Sequence, residues 1–141
     1  MHIREFSFDR DYDAAIALWQ NAGPGVHVSR SDTPDEIRKK LARDPDLFLV
    51  AEDAEQLVGA VIGGFDGRRG MVYHLAVVVG RRGQGLATAL RAELETRLRA
   101  RGCVKCYLMV DPDNLSLVDF YRRLGWAVMP VYTLGKDLDR R

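Results

Sequence analysis

The chain has 141 residues, 47% of them hydrophobic, with 21 Lys+Arg against 20 Asp+Glu. That length supports one domain with its own core and falls short of two, so a single domain over residues 1–141 is expected. Balanced charge excludes a whole-molecule attraction to nucleic acid or to a membrane surface, and no apolar run approaches the ~20 residues of a membrane span.

The N-terminus, MHIREFSFDRDYD, is charged where a signal peptide would be apolar, which makes a cytoplasmic protein the expectation. His2 to Phe6 alternates as a strand does. Asp11 to Gln20 carries Ala14, Ala15, Leu18 and Trp19 at helical spacing and stops near Asn21-Ala22-Gly23-Pro24-Gly25. Thr33-Pro34-Asp35-Glu36 reads as a helix start, with Thr33 as cap, Pro34 at the first helical position and Glu36 completing a capping box. Ile37 and Leu41 then face inward in a short second helix to about Arg43. The polar, turn-prone stretch from Gly23 to Asp32 is expected to form a wall or lid of a substrate site.

Leu47 to Glu52 and Leu57 to Phe65 read as two strands of an antiparallel hairpin, joined by Asp53-Ala54-Glu55-Gln56. Asp66 to Gly70 turns the chain into a third, Met71 to Val79, rich in β-branched and aromatic residues. The chain then breaks at Gly80-Arg81-Arg82-Gly83-Gln84-Gly85 and resumes as a helix, with Leu86, Leu90, Leu94 and Leu98 on one face.

Strand, glycine-rich turn, helix is an arrangement that binds phosphate. The first helical N–H groups lack partners inside the helix, and the helix dipole adds partial positive charge there. Gly83 and Gly85 let several amides converge, while Arg81 and Arg82 bring full charges. The loop lacks the Gly-Lys-Ser/Thr ending of a nucleotide-triphosphate loop and the three ordered glycines of a dinucleotide fingerprint.

Beyond the helix stop at Arg101-Gly102, Val104 to Val110 reads as a strand returning parallel to the Met71 strand through a right-handed crossover. It carries Cys106, and Cys103 lies just before it. Three positions apart on a strand, two sulfurs point to opposite faces, and a lone pair lacks the remaining ligands of a zinc site, so neither redox nor metal chemistry is expected. Asn114 is placed to cap a last helix, Leu115 to Leu124, closed by Gly125. Trp126 to Leu138, apolar and β-branched, gives one or two final strands interrupted at Pro130. The expected fold is an α/β mixed sheet in the order β-α-α-β-β-β-α-β-α-β(β), with helices on both faces.

Two stretches carry a resemblance. Arg82-Gly83-Gln84-Gly85-Leu86-Ala87, directly after Leu75-Ala76-Val77, resembles the acyl-coenzyme A signature of the GNAT superfamily of N-acetyltransferases, Arg-x-x-Gly-x-Ala. About thirty residues on, Asn114 to Trp126 resembles the family's Asn-x-x-Ala-x-x-Phe-Tyr-x-x-x-Gly-Phe, with Leu117 in place of the small residue and Trp126 in place of the phenylalanine. Order and motifs match the GNAT fold over nearly the whole chain, in its small single-domain bacterial form.

The resemblance implies that the Met71 and Val104 strands splay apart and admit the pantetheine arm of acetyl-CoA, a co-substrate used without a metal. It further implies that main chain around Leu75, Val77 and Val79 pairs with that arm, and that the Val77 N–H polarises the thioester carbonyl. The pyrophosphate would sit on the amides of Arg82, Gly83, Gln84, Gly85, Leu86, Ala87 and Thr88, with Arg81 and Arg82 at the rim. Tyr121 would give a proton to the departing thiolate or pack against pantetheine; Asn114 would bind the coenzyme or cap its helix. The acceptor is an amine, a small molecule or a peptide, on a monomer or homodimer with no nucleic-acid or membrane partner.

The general base stays open. An alkyl amine is about a thousandth neutral at pH 7, so its deprotonation must recover about 4 kcal/mol. Some relatives that modify protein N-termini carry a glutamate where this chain has Met109. His74, Tyr73, Glu52 and Asp111 are the candidates, His74 foremost, beside a water relay or an already neutral amine. A non-catalytic acyl-CoA sensor and a nucleotide-binding α/β domain are the rival readings.

Overall fold

The computed structural model describes residues 1–23 and 26–139; Pro24 and Gly25, part of the expected helix stop and wall, lie outside the described residues. The chain runs β1 (His2–Glu5), α1 (Phe8–Gln20), α2 (Pro34–Arg43), β2 (Phe48–Asp53) and β3 (Gln56–Phe65). There follow β4 (Gly70–Val77), α3 (Leu86–Ala100), β5 (Cys106–Leu108) and α4 (Leu115–Arg123). Single 3-10 turns precede α2 and β2 and follow β4. Among the described residues these strands form one sheet in the order β1-β2-β3-β4-β5, antiparallel except for the parallel β4–β5 pair.

β2 is apolar almost throughout because both of its faces are covered. Phe48 and Val50 pack with Ala60, Ile62, Ala15, Leu18, Trp19 and Ile37 beneath α1 and α2. Leu49 and Ala51 face the other way, with Val61, Val72 and the Leu86, Leu90, Leu94 and Leu98 stripe of α3. Gly63 sets how closely α3 approaches. A Cβ there would overlap Leu94 Cδ1 and lie 3.2 Å from both Cδ2 and Cγ, so the leucine rests on bare main chain. The β2–β3 hairpin turns through Ala54 (φ 50°) and Glu55 (φ 64°), two left-handed residues that match the strand twist without a glycine.

Several expectations change at the element ends. α1 starts earlier, at Phe8, and β5 is three residues instead of seven. Thr33 accepts the Glu36 N–H as a cap, but the Glu36 carboxylate pairs with Lys39, and the reciprocal capping box forms upstream between Ser29 and Asp32. α4 closes as expected at Gly125, with Trp126 N–H bonded to Tyr121 O and Gly125 N–H to Arg122 O.

The final strands are not formed: residues 126–139 contain no strand. Val131, Tyr132, Leu134 and Leu138 are exposed. β-propensity measures fit to a pleated, half-buried surface, and without a paired neighbour a β-branched composition has nothing to fit. No helix among the described residues is long and apolar enough to cross a membrane.

Candidate active site

β4 and β5 pair only from Gly70/Cys106 to Val72/Leu108 and then part. The cause lies in β4. Its register against β3 slips between Ile62↔Tyr73 and Ala60↔Ala76, a bulge centred on His74, whose φ of 49° is left-handed. A non-glycine residue held there costs roughly 1–3 kcal/mol and persists only where its surroundings enforce it. They do so here: Trp19 Nε1–H donates to His74 O at 3.0 Å, and the indole lies 4.9 Å from the imidazole ring.

Past the bulge, β4 has an open edge. Val78 N–H bonds Val58 O, so the adjoining Val77–Gly59 pair is of the non-hydrogen-bonded kind, and Val77 turns its N–H and C=O toward the side β5 has left. A cavity of about 520 Å³ fills the gap, lined by Leu75 and Val77 on β4, Leu108 at the end of β5 with Met109 to Asp111 beyond it, and Leu117, Phe120 and Tyr121 on α4.

At one end the cavity meets the glycine loop. Gly83 and Gly85 both have φ +79° with open space where a Cβ would stand. Among the described residues, the N–H groups of Gly83 through Thr88 donate to no protein acceptor; the first helical bond is Ala89 N–H to Gly85 O. Six consecutive free amides at a helix N-terminus form a concave donor surface suited to a diphosphate. Arg81, Arg82, Gly83 and Gly85 to Thr88 line the cavity, whereas Gln84 does not and accepts from Arg81 Nε at 3.1 Å. Val79 also stays outside, in the 3-10 turn after β4. Arg81 is bonded to Asp53, whose carboxyl it holds below the ordinary range. Arg82 donates to Ala22 O at 2.8 Å, which brings the wall stretch over the loop, and Ala22 and Val26 line the cavity there.

Tyr121 is 6% exposed, and its hydroxyl bonds to no protein group among the described residues. Burial pushes its pKa up to about 12, with Arg91 pulling the other way, so the phenol stays protonated and keeps a proton to donate. Trp126 meets the ring edge-on at 5.5 Å. Asn114 lines the cavity beside it, but as helix cap it makes no side-chain bond; its Oδ1 accepts from Ser116 Oγ.

The base candidates separate. Glu52 lies away from the cavity, where Arg4 first, and Arg10 and His2 after it, hold its carboxyl below the ordinary range. Tyr73 borders a second, shallower cleft by α2, and burial raises its pKa. Asp111 lines the cavity but pairs with His27 at 3.2 Å, which lowers it. Met109 lines the cavity and carries no proton. His74 remains, with Nε2 at 3.1 and 3.0 Å from the two oxygens of Asp32. The sequence places Asp32 only at the end of the expected wall, and nothing in it points to the contact with His74, which is made across 42 residues of chain. Cys103 and Cys106 are free thiols, and burial first, then Glu95, raises the Cys106 pKa, the reverse of an activated cysteine.

This architecture is widely shared. The chain has a TM-score of 0.78 to Ard1 from Thermoplasma volcanium at 22% identity, covering 91% of this chain and 83% of that one. Against the PaiA N-acetyltransferase from Thermoplasma acidophilum, in complex with coenzyme A, the TM-score is 0.77 at 18% identity, with 93% and 92% covered. Both likenesses speak to the fold. In sequence, the chain is 44% identical over 138 residues to an acetyltransferase of Pectobacterium atrosepticum, spanning 98% of this chain and 96% of that protein. The profile of the Acetyltransferase (GNAT) family matches residues 10–126, which includes the free-amide loop, the parted strands and Tyr121. The chain belongs to the GNAT family of acetyltransferases.

Proposed function

We propose that this acetyl-CoA-dependent N-acetyltransferase seats the diphosphate of acetyl-CoA on the amides of Gly83 to Thr88 and its pantetheine arm along the open edge of β4. Tyr121 and His74 then manage the two proton movements of acetyl transfer to a primary amine. The observation that carries this is the coincidence of six unpartnered amides with a strand edge vacated past Val72, on one cavity.

Catalysis by this arrangement needs no covalent enzyme intermediate. His74 takes one proton from the acceptor's ammonium and passes it to solvent. The neutral amine attacks the thioester carbon, forming the C–N bond, while the Val77 N–H faces the charge that develops on oxygen. The C–S bond breaks, and Tyr121 gives its proton to the thiolate, recovering it from the same amine nitrogen as that becomes an amide. The whole chain acts as one domain.

The test is thiol release from acetyl-CoA with a panel of polyamines, aminoglycosides, amino acids and peptide N-termini, alongside calorimetric binding of coenzyme A. The proposal expects acceptor-dependent release that falls in Tyr121→Phe and in His74→Asn while coenzyme A still binds. Binding without release for any amine would leave a coenzyme-binding protein in place of an enzyme.

A further inference from the structure

Asp32 is buried, 3% exposed, and within hydrogen-bond reach of one ring only. Its carboxylate is fixed from behind by the Ser29 N–H at 3.0 Å, and its main-chain oxygen accepts the Tyr12 hydroxyl at 2.7 Å. An ionised carboxylate can only accept, so the ring nitrogen that faces both of its oxygens carries the proton. That nitrogen is His74 Nε2. In the neutral ring the lone pair then sits on Nδ1, which bonds to no protein group among the described residues and is not sealed from solvent. His74 lines the cavity.

We infer that Asp32 is a positioning residue for acetyl transfer: it fixes the His74 tautomer and ring plane so that Nδ1, and not Nε2, receives the acceptor's proton. This rests on His74 as the base. One proton moves from the ammonium nitrogen to Nδ1, which makes an imidazolium; the Nε2–H···Asp32 contact steadies that cation until Nδ1 returns the proton to water. No electrons are exchanged. Trp19 completes the clamp by packing on the ring and holding the His74 main chain in its left-handed turn. The bulge, the indole and the carboxylate thus all bear on the one side chain.

Nitrogen NMR of histidine-labelled protein tests the tautomer without any acceptor. The chain has three histidines, so the His74→Asn spectrum assigns the signal. The expected wild-type signature at alkaline pH is a neutral ring protonated on Nε2. In Asp32→Asn, whose carboxamide can donate to Nε2, the proton moves toward Nδ1. With the best amine of the panel, kcat of Asp32→Asn falls about 100-fold, toward the level of His74→Asn, while KM for acetyl-CoA stays within about 2-fold. A wild-type ring protonated on Nδ1 overturns the inference. So does an Asp32→Asn enzyme with unchanged kcat beside an inactive His74→Asn, a result that leaves His74 as the base. A fully active His74→Asn overturns the base assignment, and Asp32's part in the reaction with it.

Discussion

α3 does two jobs: its leucine stripe closes one side of the core, and its first turn presents the amides proposed to hold acetyl-CoA. The packing of Leu94 on Gly63 is where these jobs can be separated. Leu94→Ala removes a side chain that is fully buried and leaves a void, which costs about 3–5 kcal/mol. Gly63→Ala places a methyl into overlap with Leu94 Cδ1 and 3.2 Å from Cδ2 and Cγ, overpacking worth about 1–3 kcal/mol. If both describe one contact, the double variant is better than their sum, because the new methyl occupies space the leucine vacated. A coupling of about 1–2 kcal/mol is expected. At 141 residues each kcal/mol shifts the thermal midpoint by about 3 °C, so the cycle can be read by calorimetry or urea titration. Gly63→Ala alone should also weaken coenzyme A binding to the extent that α3 moves off the sheet, instead of Leu94 turning aside, to relieve the overlap. Strictly additive effects would refute the close approach of α3 to β3 and the argument for what sets the position of the amide loop.

Tyr121→Phe should lower kcat about 100-fold with KM for acetyl-CoA little changed, because only the proton on a phenol raised to about 12 is removed; steady-state kinetics will show it. Gly85→Val puts a branched side chain at φ +79° beside the amide surface, and calorimetry should show at least a tenfold loss of coenzyme A affinity. Asp11 and Asp44 are raised by burial but more than offset by Arg4 for the first and by Lys40 and Arg101 for the second, so both end below the ordinary range. A depressed carboxyl adds stability that is complete above its unfolded pKa, about 3.9, and is lost as pH falls through the folded value. Chemical denaturation should therefore give a flat stability above about pH 5 and a decline below about pH 4, and Arg101→Met should shrink the part that Asp44 supplies.

Much of the fold was legible because the periodicities were strong. Leu86, Leu90, Leu94 and Leu98 announced α3, and all four are buried. The apolar runs Leu47 to Glu52 and Leu57 to Phe65 announced an antiparallel hairpin, which β2 and β3 form, and the glycines after β4 announced the turn into α3. The tail misled: Trp126 to Leu138 has a strand's composition, but a strand exists only against a partner, and none is formed there. Asn114 was placed correctly as the residue before α4, while its capping bond was not, because side-chain rotamers are chosen by neighbours the pattern does not record.

The local code of this chain thus determined its element order as far as α4, its glycine loop and its two motifs, since each depends on residues within a few positions of one another. Tertiary structure decided the rest. It bulged β4 at His74, ended the β4–β5 pairing at Val72, and brought Asp32 within 3.0 Å of an imidazole 42 positions away. Those features arise where a helix, a strand and a loop compete for the same space, and the chain must fold before that competition has an outcome.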